Sequence, residues 1–116
     1  MQTEIYAKLD HTPSRFHSDA EGRIRRALRH RSQRLSMVRV FLTDEKSPGG
    51  AAGTRCRVVL DTGRSGSVVA TGRGSDADAA LYDALLRVRD RLRRREQRRA
   101  SRVRGRAGRR VLPKAA

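Results

Sequence analysis

The sequence predicts an α+β domain of order β-α-β-β-β-α, a four-stranded sheet with two helices packed on one face. Three observations point there. Four short segments alternate apolar and polar residues with a period of two. Two longer segments repeat apolar residues at helical spacing. Turn-forming pieces rich in Gly, Pro and Ser separate them. Each strand then has one apolar face and each helix one apolar stripe, and a single sheet covered on one side buries them all. A chain of 116 residues suffices for one such core and not for two.

The elements follow in order. Thr3, Ile5, Ala7 and Leu9 alternate with Glu4, Tyr6 and Lys8, a half-buried strand. His11-Thr-Pro-Ser14 is a turn. Ser18 and Glu21 have the spacing of a capping box, and Ile24, Ala27, Leu28 and Leu35 recur behind them, so the first helix is expected over about 19–35. Gly22 weakens its first turn by up to about 1 kcal/mol relative to Ala. Val38, Val40 and Leu42 alternate with Met37, Arg39 and Phe41, and 46–53 reads as a flexible loop. Cys56, Val58 and Leu60 mark a third strand over 54–60. A hairpin connection over 61–66 leads to a fourth, with Val68, Ala70 and Gly72 inward. The second helix is expected to start at Ser75, bury Ala77, Leu81, Ala84, Leu85, Val88 and Leu92, and run to about Arg99. This divides the chain into an α+β domain over 1–99 and a basic stretch over 100–116, expected to be disordered unless bound. The uncovered sheet face is expected to carry Arg39, Arg55, Arg57 and Arg73.

Charge narrows the function. Lys and Arg number 28 against 12 Asp and Glu, a formal net charge of +16. Residues 1–86 hold 14 basic and 10 acidic residues, whereas 87–116 hold 14 basic residues against Asp90 and Glu96. A nearly balanced body thus carries an intensely basic end, the electrostatic footprint of a polyanion partner. Arginine suits that role because its fork pairs with phosphate oxygens. No apolar run approaches the roughly 20 residues of a membrane span, and no secretory signal is visible. A single cysteine, Cys56, excludes an internal disulfide and a cysteine-based zinc cluster. The expectation is a soluble, cytoplasmic domain.

Two rows of arginine stand out. Arg87, Arg91, Arg94 and Arg98 share one helical face, with Arg95 on its border. Arg23, Arg26, His30 and Arg34 repeat the pattern on the first helix. Ordinary wet faces would look similar, but acidic residues are nearly absent from both rows. If both helices cover the same sheet face, the rows are expected on one side as a cationic groove or ridge. Neutralising about six phosphates would make log K fall with log salt at a slope of about −4 to −5. With only four aromatic residues (Tyr6, Phe16, Phe41 and Tyr82), base stacking on a sheet platform is poorly provided for, so structured RNA is the expected target rather than a single strand.

Other signals resolve into structural roles. Gly72-Arg-Gly-Ser75 lacks a Walker lysine and precedes Asp76 and Asp78, which would repel phosphate, so it reads as a strand exit and N-cap. His11, His17 and His30 lack metal-ligand spacing. Cys56 occupies an inward strand position, that of a core thiol. Asp19 with Glu21 suits a helix N-terminus, and Asp44 with Glu45 a polar loop. No catalytic constellation, metal site, cofactor motif or small-molecule site is expected.

The order of elements and the stretch from Val68 to Leu81 make the chain similar to the ribosome hibernation promoting factor and ribosome-associated inhibitor family, also called sigma-54 modulation proteins, over roughly residues 1–95. Gly74, Asp76, Ala80 and Leu81 match the family's strand-to-helix pattern, Leu85, Val88 and Leu92 its buried positions, and Arg87 and Arg94 its basic helix positions. Asp78 stands where the family usually has Tyr, Asp90 where a basic residue is common, and Glu21 and Gly22 replace an aliphatic and basic pair. The resemblance implies docking on the small ribosomal subunit, with the basic helices against ribosomal RNA in the channel used by mRNA and tRNA. Translation would be blocked by occupancy, without covalent chemistry. It implies a short form, since the long form adds a dimerising domain for which this chain has no room. The RNA-binding residues expected on this reading are Arg23, Arg26 and Arg34 with Arg87, Arg91, Arg94, Arg95 and Arg98. The competing reading is a structured-RNA or DNA-binding module without ribosome preference. A nucleic-acid enzyme would need carboxylates or metal ligands in the groove. Binding to an anionic membrane would need a bulky apolar face that the basic end lacks.

Overall fold

In a computed structural model, residues 1–29, 35–46 and 52–111 are described, with backbone alone at 65 and 102–111. The strands β1 (Gln2–Lys8), β2 (Met37–Lys46), β3 (Ala52–Asp61) and β4 (Ser67–Gly74) form one sheet in the order β1-β2-β3-β4. Helix α1 (Phe16–Leu28) joins β1 to β2, which run parallel, and α2 (Ala77–Val111) follows β4. The other pairings are antiparallel. One register row, Ile5, Val40, Val58 and Ala70, crosses all four strands on the inner face. That face, with Ile24 and Leu28 of α1 and Leu81 and Val88 of α2, makes one core. Both helices therefore cover the same side of an α+β sheet. A parallel pair needs a crossover, and α1 supplies it. Helix α2 packs on β3 and β4 and also touches α1.

Several element ends differ from the sequence-based expectation. Helix α1 starts at Phe16, because the buried Phe16 ring anchors the first turn and its N–H donates to the Pro13 carbonyl at 3.0 Å. Ser18 is consequently not the N-cap; it lies inside the helix and donates to the Arg15 carbonyl. The helix ends at Leu28 rather than near 35, and residues 30–34 lie outside the described residues. At α2, Asp76 caps the helix instead of Ser75: its Oδ1 accepts the Ala79 N–H at 2.8 Å. The far end runs to Val111 rather than Arg99. Arginine and alanine are strong helix formers, the two glycines there cost only about 1 kcal/mol each, and no proline follows Pro48 until Pro113. Backbone conformation over 100–111 is thus helical where disorder was expected.

The sheet-to-helix contact is unusually close at one point. A Cβ on Gly72 would stand 2.2 Å from the Ala84 nitrogen and 2.8 Å from the Ala80 carbonyl oxygen. One on Gly74 would meet Ala79 and Ala80 at 2.6 Å. The glycines read in the sequence as a strand exit therefore let α2 lie directly on β4. Asp83 ties the same two elements: its Oδ2 accepts the Arg73 backbone N–H at 3.0 Å and the Arg87 Nε at 3.1 Å.

Candidate nucleic-acid interface

A groove of about 610 Å³ runs between the two helices, and arginine dominates its walls. Helix α1 contributes Arg26 and the following residue Arg29; α2 contributes Arg89 and Arg93. Among the described residues, Asp90 is the one carboxylate lining it. The groove continues past Arg23 over an apolar floor of Ala27, Tyr82, Leu85 and Leu86. Tyr82 is 65% exposed and Leu86 40%, so this floor is open to a partner.

The two helices bring their arginines here for a topological reason. Helix α2 lies over β3 and β4, and the crossover helix α1 takes the rest of the same face. Of the two flanks beside α2's apolar stripe, only the one with Tyr82, Leu86, Arg89 and Arg93 looks toward α1. Each step of three or four residues keeps that flank aligned.

The expected residues divide accordingly. Arg23 and Arg26 line the groove. Arg34 lies outside the described residues, as does His30. The row Arg87, Arg91, Arg94 and Arg98 occupies the opposite flank of α2, beside the edge strand β4, so the two expected rows do not converge. Arg91 donates through Nη1 to the Val69 carbonyl on that edge. Arg87 pairs with Asp83, and Arg94 with Asp90 at 3.2 Å. Arg95 reaches toward the β3–β4 hairpin, 4.0 Å from where a Gly66 Cβ would stand. Arg98 is exposed. The residues that do face α1, Arg89 and Arg93, were not singled out by the arginine periodicity. The signal that could have found them is Tyr82 and Leu86: two large apolar residues beside them, off the main stripe, mark a flank that faces another element rather than open solvent.

The groove is electrostatically unbalanced. Arg23 pairs with Asp78 at 3.0 Å, and Arg93 shares Asp90 with Arg94. Arg26 donates Nε to the Gly22 carbonyl. Arg89 has no hydrogen-bond or ion-pair partner among the described residues. The ion pairs are half-exposed, so each is worth roughly 0–1 kcal/mol and can be exchanged for a phosphate at little cost. Such a surface can offer charge-assisted hydrogen bonds to anionic oxygens.

Chemistry elsewhere is sparse. Cys56 is fully buried, and burial pushes its thiol pKa up to about 12, so it is a core residue and not a nucleophile. Among the described residues no three of His, Cys, Asp and Glu gather in a way that could hold a metal ion. No helix among them is long and apolar enough to cross a membrane. The sequence matches no protein-family model and no curated protein.

Proposed function

We propose that the chain is a ribosome-associated translation inhibitor that seats its inter-helix groove on ribosomal RNA of the small subunit and occludes the mRNA and tRNA channel. The observation that carries this reading is the groove itself: Arg26, Arg29, Arg89 and Arg93 meet from two helices, and among the described lining residues only Asp90 opposes them. The domain around it has the β-α-β-β-β-α order, with both helices on one sheet face, that the family resemblance implies. The mechanism is occupancy. Guanidinium groups displace counterions from the RNA backbone, and the folded body then fills space that mRNA and tRNA need. Backbone contacts of this kind select shape and position rather than sequence. The setting is the cytoplasm of stressed or stationary cells.

The second reading, a structured-RNA or DNA-binding module without ribosome preference, is favoured by arginine on both flanks of α2, since such a helix can meet phosphates from more than one side. Pelleting of the purified chain with small ribosomal subunits at moderate salt separates the two. The inhibitor reading expects a saturable complex that excess unrelated duplex RNA does not dissolve, protection of a defined patch of ribosomal RNA, and loss of in vitro translation. Equal competition by any duplex would favour the second reading and defeat the first.

A further inference from the structure

The sheet face turned away from the helices carries a feature that the aromatic count concealed. Tyr6 and Phe41 are direct register partners across the parallel strands β1 and β2. Their rings stack with centroids 5.3 Å apart and planes within 13°. Both are exposed, Tyr6 at 48% and Phe41 at 37%. The next residue in the same row, on β3, is Arg57, and Arg55 follows two positions along. We infer that this face is a second RNA site, in which an unpaired base extends the Tyr6–Phe41 stack while Arg55 and Arg57 take the neighbouring phosphates.

The surroundings favour that occupant. Stacking on exposed aromatic rings, combined with nearby cations, is how sheet surfaces hold unpaired nucleotides. Glu4 holds the platform in place: one carboxylate oxygen accepts the Tyr6 hydroxyl at 3.1 Å and the other the Arg39 Nε at 3.0 Å. Glu45 is likewise spent on Arg73. With both acids neutralised, the Lys8, Arg55 and Arg57 side chains remain without a hydrogen-bond or ion-pair partner among the described residues. Arg55 and Arg57 project from the same face of β3 about 6.6 Å apart, a span that successive phosphates of an extended strand can follow. A duplex is the poorer fit, because its bases are already stacked and unavailable to the rings. The site lies on the opposite side of the sheet from the inter-helix groove and does not depend on the reading proposed for it. One chain could then hold a structured RNA by its helices and an unpaired segment by its sheet.

The test uses the full chain and decauridine, which forms no stable duplex. The protein has no Trp, and in a Tyr82→Phe background Tyr6 is the sole tyrosine emitter. The inference expects saturable quenching of Tyr6 fluorescence by decauridine. It expects Phe41→Leu to weaken that binding by about 5- to 150-fold, the range for losing one base–aromatic stack. Arg57→Gln, at a side chain with no hydrogen-bond or ion-pair partner among the described residues, should weaken it several-fold, so the test survives if Phe41→Leu fails to fold. Neither change should alter affinity for a blunt RNA duplex by more than about twofold, whereas Arg89→Gln should weaken the duplex and spare decauridine. Absence of quenching, wild-type decauridine affinity in Arg57→Gln, or equal losses on single strand and duplex would overturn the assignment. Tighter binding of decathymidine than of decauridine would overturn its assignment to RNA.

Discussion

A single methyl group at Gly72 should unseat α2. The added carbon would stand 2.2 Å from the Ala84 nitrogen, 2.7 Å from its Cα and 2.8 Å from the Ala80 carbonyl oxygen. Ordinary contact begins near 3.4 Å, so the helix must retreat by about 1 Å along its contact with β4. The obstructing atoms are backbone, which no rotamer change can relieve. Overpacking in a well-filled core typically costs 1–3 kcal/mol, and a clash with backbone belongs at or above the upper end, about 3 kcal/mol. For a domain of this size that is a fall in Tm of about 12–24 °C. Urea unfolding followed by circular dichroism measures it, with an unchanged m-value showing that the loss lies in stability. Gly22→Ala is the matched control. Its methyl would meet nothing nearer than an Arg26 guanidinium nitrogen at 3.9 Å, inside helix α1, so it should stabilise by about 0.5–1 kcal/mol. Gly72→Ala within about 0.5 kcal/mol of the parent would refute the close packing of α2 on β4, and with it the position of the groove wall that α2 carries.

Two further outcomes follow from titratable groups. The Asp83 carboxylate is held below its ordinary pKa of 3.8, chiefly by the Arg73 backbone N–H and then by Arg87, so its contribution to stability is complete above that value and fades as pH falls through the lower folded value. Asp83→Asn should therefore be less stable than the parent at pH 6, and the gap should narrow toward pH 2; a gap independent of pH would contradict the assignment. The buried Cys56 thiol, with its pKa near 12, should resist a thiol-specific reagent at pH 8 in the native protein and react only at the rate of unfolding. Rapid labelling without denaturant would place Cys56 at the surface.

Much of the fold was legible because burial imposes simple periods. Val38, Val40 and Leu42, or Leu81, Leu85, Val88 and Leu92, declare their faces without reference to anything distant. Ends were harder. Ser18 offered a good capping box, yet burying the Phe16 ring outweighed a surface cap and pulled the helix three residues earlier. The groove was legible in part. Arginine periodicity on α1 picked out Arg23 and Arg26, which line it, but on α2 it favoured the longer row Arg87, Arg91, Arg94 and Arg98 over the lining pair Arg89 and Arg93. Helical periodicity shows that two flanks exist; only the placement of α1 relative to α2 decides which one forms a groove. The Tyr6–Phe41 pair was hidden for the same reason, since 35 residues separate its members and the parallel register alone brings them together.

The most direct measurement is the salt dependence of binding to purified small ribosomal subunits, comparing the parent with the triple variant Arg26→Gln, Arg89→Gln, Arg93→Gln. If those three guanidinium groups each displace a counterion, the slope of log K against log salt should become shallower by about 2–3, while Arg98→Gln on the far flank changes it by less than about 1. An unchanged slope in the triple variant, or a larger change from Arg98→Gln, would contradict the proposed grip of the inter-helix groove on RNA.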